Sequence, residues 1–127
     1  MRKSIITICA IVLLTAALCV YTTATLNDSV AHLQSIAADM QQNFDNGDYA
    51  ACMDDAQRLW NDWRRRFARL ASLIPHDDLD DVSLSITTLW HKLRHGETDG
   101  LSAEIGILGE NLDHLVHTEE FRWDNLL

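Results

Sequence analysis

The sequence predicts an all-α protein: an N-terminal transmembrane helix continuing into a small extracytoplasmic antiparallel bundle of about four helices. Three observations carry that expectation. Ser4 to Leu26 is an unbroken run of 23 residues with no charge, proline or glycine. Beyond it, apolar residues recur every three or four positions, the period of a helix with one buried face. The interruptions are helix breakers, Asn46-Gly47, Pro75, Gly96 and Gly100, and no alternating strand pattern lies between them.

At about 1.5 Å of rise per residue the first run reaches across a hydrocarbon core of roughly 30 Å. The expected division is therefore 1–26 as the membrane anchor and 27–127 as an extracytoplasmic helical domain. Arg2 and Lys3 precede the run and Asp28 is the first charge after it. The positive-inside rule then leaves the amino end in the cytoplasm and the domain outside. Cleavage as a signal peptide is the rival, since Thr22-Thr23-Ala24 offers small residues. The apolar stretch exceeds the usual signal core of about 7–15 residues, which favours retention. Lipidation at Cys19 fits less well, because Leu18 stands where a small residue is needed.

The helical pattern does not stop at the anchor. Leu26, Val30, Leu33, Ala37, Met40 and Phe44 form a seam of the coiled-coil type, so one rod should run to about Phe44. Asn46-Gly47 ends it and Asp48 is placed to cap the next helix, Tyr49 to about Ile74. Its inward face is Cys52, Ala56, Leu59, Trp63, Phe67, Leu70 and Ile74, widened by Met53 and Trp60. Pro75 stops it sharply. A third helix opens at His76-Asp77-Asp78, with Leu79, Val82, Ile86, Leu89 and Leu93 inward and Trp90 beside them. A fourth starts near Leu101, with Ile105, Leu108, Leu112 and Leu115 inward. Gly106 and Gly109 within it suggest a close approach to a neighbouring helix. The tail Phe121–Leu127 is apolar enough to dock back on the bundle.

Charge excludes one class of partner. Every one of the nineteen acidic residues follows the anchor, against eight basic ones, so the domain from Asn27 carries −11. Such a surface repels phosphate backbones, and no nucleic acid partner is expected. Of three cysteines only Cys52 lies in the domain, so no disulfide within it is possible. At an apolar helical position Cys52 reads as a small buried hydrophobe.

Some of these residues resemble a known family. Gly47-Asp48-Tyr49 opens a helix that carries Trp60 and Trp63; Leu73-Ile74-Pro75-His76-Asp77-Asp78-Leu79-Asp80 follows. A Leu-rich helix with His114-Leu115 and the ending Asn125-Leu126-Leu127 come after it. With the anchor, this resembles the bacterial family catalogued as domain of unknown function 4363, small membrane-anchored proteins of Gram-positive lineages. The resemblance spans nearly the whole chain and implies architecture and location, with no assigned activity.

Several side-chain groups bear on chemistry. His76-Asp77 is the sharpest: an adjacent His-Asp pair supplies two ligands in metal-dependent phosphohydrolases of helical fold, and His32 and Asp113 could be nominated to complete it. The separations of His32 and Asp113 in sequence do not match that family, so the candidate metal ligands are His76, Asp77 and Asp80. The same block starts a helix, where Asp caps and complements the dipole and His closes the turn. His91 and His95, at i and i+4, and His114 and His117, at i and i+3, have metal-capable spacing, but their registers turn them towards solvent. Arg64, Arg65, Arg66 and Arg69 form the one basic cluster of the domain. Guanidinium groups fork onto carboxylates or phosphates; the expected partners are the Asp77–Asp81 run within the chain or anionic lipid headgroups. No phosphate loop, serine elbow, His-Glu-x-x-His or Cys-x-x-Cys occurs.

The function expected is therefore a non-enzymatic, membrane-anchored interaction module in envelope assembly or as an accessory subunit, with no cofactor and no catalytic residue. Its partner is another protein or a second copy, with Trp123 as an exposed anchor and the Arg cluster as a further contact. A metal- or ligand-sensing domain built on His76 is the alternative, and a membrane-tethered metal-dependent hydrolase the second.

Overall fold

The helix breaks fall where the breakers stand. The computed structural model describes residues 1–126 as α1 (Arg2–Asp45), α2 (Tyr49–Ala71), α3 (His76–Arg94) and α4 (Leu101–Leu126). Gly47, at φ +74°, takes the left-handed turn after α1, and Asp48 Oδ1 accepts from the Ala51 N–H at 3.1 Å to cap α2. Gly96, at φ +71°, closes α3 in the same way.

Helix α2 ends three residues before the expected Ile74. Residues 72–74 form a turn in which the Leu73 and Ile74 N–H groups both reach the Leu70 carbonyl, at 3.0 and 2.8 Å. Pro75 is the cause, because its ring disfavours helical geometry in the residue before it. Ile74 is buried all the same. Pro75 also takes the N-cap position of α3, so no side chain caps that helix and the expected Asp and His capping bonds are not made. Asp77 and Asp78 stand in its first turn and act there through charge on the helix dipole.

Each helix packs on two others, α1 on α2 and α4, and α3 on α2 and α4, in an up-down-up-down ring with short connections. The core is one cluster running from Leu26 to Leu115, and its α1 contribution is Leu26, Val30, Leu33, Ile36, Ala37 and Met40. Cys52 lies wholly inside it, with Sγ donating to the Met40 carbonyl at 3.4 Å. Burial raises the thiol pKa, with Asp55 and Asp48 adding to the rise, so the side chain is held protonated.

Every seam also carries a polar clasp. Asn43 donates to the buried Asp55 at 2.7 Å between α1 and α2, and Trp63 Nε1 donates to Ser83 Oγ at 2.7 Å between α2 and α3. Asn111 donates to Ser85 Oγ at 2.6 Å between α3 and α4, and Gln34 donates to Asp113 at 2.8 Å between α1 and α4. A displaced register would leave the part-buried groups of the first three clasps short of partners, which costs about 1–3 kcal/mol each, while the exposed Gln34–Asp113 pair would turn to water.

Burial along α1 begins abruptly. From Met1 to Tyr21 the helix is exposed, apart from partial cover at Thr15 and Cys19; Thr22 is buried and Leu26 sits in the core. The bundle thus takes in Thr22 to Leu26, the last five residues of the apolar run. The free part, Ser4 to Tyr21, is about 27 Å long at about 1.5 Å per residue.

Two local expectations are corrected. An added Cβ at Gly106 or Gly109 meets nothing within 4 Å, so neither glycine marks a close helix approach. Phe121–Leu126 is not a separate docked tail but the end of α4, and Leu127 lies outside the described residues. With open space around them, Gly106→Ala and Gly109→Ala should each raise stability by about 0.5–1 kcal/mol. Leu112→Ala, fully buried, should lower it by about 2–5 kcal/mol. Denaturant unfolding of the full chain in detergent, followed by circular dichroism, checks both signs.

Candidate functional site

Four charged residues of α2 fall on one face because Asp62, Arg65, Arg66 and Arg69 are spaced 3, 1 and 3. That face meets α1 at Asp28, Ser29 and His32, and the six charged or ionisable groups line an open cleft of about 620 Å³. His32 Nε2 lies 2.6 Å from Asp62 Oδ2, and Arg65 binds the other carboxylate oxygen. Arg66 donates to Ser29 Oγ at 3.1 Å and stands 3.6 Å from Asp28 Oδ2. Among the described residues Arg64 and Arg69 have no ion-pair partner.

Burial pulls the Asp62 pKa up, but hydrogen bonds and charge from His32 and Arg65 outweigh it and hold the carboxyl below its ordinary value. The expectation that the arginines pair within the chain is met for Arg65 and Arg66, with different partners. These are Asp62 and Asp28, not the Asp77–Asp81 run, because α2 turns this face to α1.

The other nominated residues are dispersed. His76 is exposed, with its ring 6.4 Å from Phe67. His32 is committed to Asp62 and Asp113 to Gln34. His91 and His95 face solvent with rings 6.1 Å apart, and His114 and His117 are also exposed. Among the described residues no three His, Cys, Asp or Glu side chains gather as a metal would require. Trp123 is 8% exposed, against its expected role as a protruding anchor, while Phe121 is 70% exposed. The register of α4 turns position 123 inward with Leu112, Leu115 and Glu119, and position 121 outward.

Two further groups escaped the sequence reading. Trp60, Trp63 and Phe67 of α2 line a smaller apolar groove with Ser83 and Thr87 of α3, about 340 Å³. Trp60 stacks on Trp90 at 5.6 Å, and Arg94 covers the outer face of Trp90 at 4.8 Å. Near the end of α4, Glu119 is buried at 2% exposure, and among the described residues neither its Oε1 nor the Trp123 Nε1 has a hydrogen bond of good geometry. Arg122 lies 3.2 Å from that oxygen as a neighbouring charge without a directed bond. Burial raises the Glu119 pKa, Asp78 of α3 adds to the rise, and Arg122 and the Trp123 indole oppose it.

A family model described as Domain of unknown function (DUF4363) matches residues 20–126. The chain belongs to the DUF4363 family. Its matched region opens two residues before burial begins on α1, so the DUF4363 unit and the helical bundle are one object. No curated protein and no solved structure matches the chain.

The two shifted carboxyls predict opposite limbs of a pH–stability curve. A raised folded pKa stabilises fully below the ordinary value, 4.5 for Glu119, and that stability is lost as pH rises through the folded value. A lowered folded pKa stabilises above the ordinary value, 3.8 for Asp62, and that stability is lost as pH falls through the folded value. Glu119→Gln should therefore flatten the curve above 4.5, and Asp62→Asn should flatten it below 3.8. Melting temperatures of both variants across the pH range read the two effects separately.

Proposed function

We propose that this DUF4363 protein is a non-enzymatic, single-pass membrane protein whose extracytoplasmic bundle binds a protein partner or a second copy, in envelope assembly or as an accessory subunit. One observation carries the reading: a helical segment of apolar side chains, long enough to cross a bilayer, projects unburied from an otherwise well-packed bundle. Ile5, Ile8, Val12, Leu13 and Leu14 are all more than half exposed there. So large an apolar surface is untenable in water and at home in hydrocarbon.

The flanks support the same reading. Arg2 and Lys3 stand at one end of the segment and Tyr21, exposed, at the other. A tyrosine there suits the membrane–water interface, where its ring and hydroxyl meet different surroundings. For the bundle, the exposed apolar side chains Tyr49, Leu84, Ile107 and Phe121 are the contacts offered to a partner.

The full chain should stay with membranes through an alkaline wash, and Leu13→Arg should shift it towards the soluble fraction, since a mid-span Arg costs about 2.5–3.5 kcal/mol. In intact cells an impermeant thiol label should reach Ser102→Cys on the exposed start of α4, with Cys52 shielded by burial. Labelling only after permeabilisation would reverse the orientation. Photocrosslinkers at Leu84 and Phe121 should give one dominant adduct, and no adduct from either position would remove the interaction reading.

A further inference from the structure

We infer that the α1–α2 cleft is a binding site for the headgroup phosphate of an anionic phospholipid, with Arg66 and Arg69 as its ligands. The inference rests on the membrane reading above and adds a ligand to it. Three observations carry it: the height of the cleft, its unspent charge and its place on the anchor helix.

Height follows from α1 itself. If the free segment fills the hydrocarbon up to Tyr21, Asp28 stands about 10 Å beyond that boundary at about 1.5 Å per residue. Arg66 contacts Ser29 and Asp28. Arg69, one turn further along the antiparallel α2, therefore lies nearer the boundary by about 5 Å. The headgroup layer is about 5–8 Å deep on each side of the hydrocarbon core. The long apolar stem of an arginine can carry its guanidinium down into that layer.

Charge in the cleft is only partly spent. Asp62 is consumed by His32 and Arg65. Arg69 has no ion-pair partner among the described residues. Arg66, whose side chain is 26% exposed, faces an Asp28 side chain that is 83% exposed. An ion pair with so exposed a partner at 3.6 Å is weak, and a phosphate offering two oxygens to the guanidinium fork replaces it on better terms. The acidic block Asp77–Asp81 lies on α3, which packs on α2 and α4 but not on α1. Because one wall of the cleft is the anchor helix itself, its distance from the boundary is set by α1 alone.

The test uses the full chain in nanodiscs of phosphatidylcholine with a minor share of phosphatidylglycerol, followed by native mass spectrometry after gentle release. One phosphatidylglycerol should remain bound in preference to phosphatidylcholine. Arg66→Gln with Arg69→Gln should abolish that preference, each guanidinium being worth about fivefold beside an anionic surface. Arg94→Gln, over Trp90 on α3, should retain it. Should the double variant unfold, Arg69→Gln alone, at an exposed and unpaired position, still has to weaken retention by about fivefold. Equal retention of both lipids, or equal loss in Arg94→Gln, overturns the site. Retention of inorganic phosphate with no phosphatidylglycerol retained assigns the cleft to free phosphate and overturns the lipid. Failure of the chain to enter the nanodisc defeats the membrane reading itself, whereas insertion without anionic preference defeats only the site.

Discussion

Because α1 runs without a break from Arg2 to Asp45, the bundle has no freedom to choose its distance from the free segment. A kink needs proline, a glycine pair or an interrupted hydrogen-bond ladder, and α1 contains neither proline nor glycine. What changes at Thr22 is therefore only the surroundings of the helix, not its geometry. Before that residue the helix is open apart from partial cover at Thr15 and Cys19; from it onward a stripe at heptad spacing is covered by α2 and α4. The α2–α3 turn and the end of α4 are carried to the same end of the bundle, because α2 and α4 both run back along α1. Under the membrane reading, that end rests on the lipid with no stalk between.

Apolar burial alone does not fix which helix lies beside which. The core residues are mostly Leu, Ile and Val, which pack in many registers at small cost. The polar clasps are more selective, since Asn43–Asp55, Trp63–Ser83, Asn111–Ser85 and Gln34–Asp113 each join a different pair of helices. The charged cleft is the outward continuation of that logic on the α1–α2 seam. His32 and Arg65 close on Asp62 from two helices, and the remaining guanidinium groups are left facing out.

Helix periodicity carried most of the fold into the sequence, since a buried stripe, a glycine and a proline are local signals. Thr22 to Leu26 shows where such reading stops. Hydropathy reports that a side chain avoids water, not whether lipid or a neighbouring helix covers it, so the start of the bundle was hidden inside the apolar run. Pairing partners were hidden for a related reason: the Asp77–Asp81 run is nearer to the arginines along the chain, but Asp28 is nearer in space. Trp123 illustrates the third gap. Its orientation depends on whether α4 continues to Leu126, and one residue's difference in phase separates a buried indole from an exposed one.

The two ends of the bundle are not equivalent. At the end away from the free segment, Asp48 caps α2, Asn43 and Arg58 satisfy Asp55, and Lys92 stands 3.6 Å from Glu104. At the other end α3 begins on an uncapped proline, the buried Glu119 meets Arg122 at 3.2 Å without a directed bond, and the buried Trp123 Nε1 has no hydrogen bond among the described residues. A buried polar group short of a hydrogen bond costs about 1–3 kcal/mol, so this end is where local opening is expected to start. Of the four helices that meet there, α2, α3 and α4 are those not continued by the free segment. Under the membrane reading, anchoring α1 at that end holds its first buried turn, Thr22 to Leu26, in place as a surface on which the other three can repack.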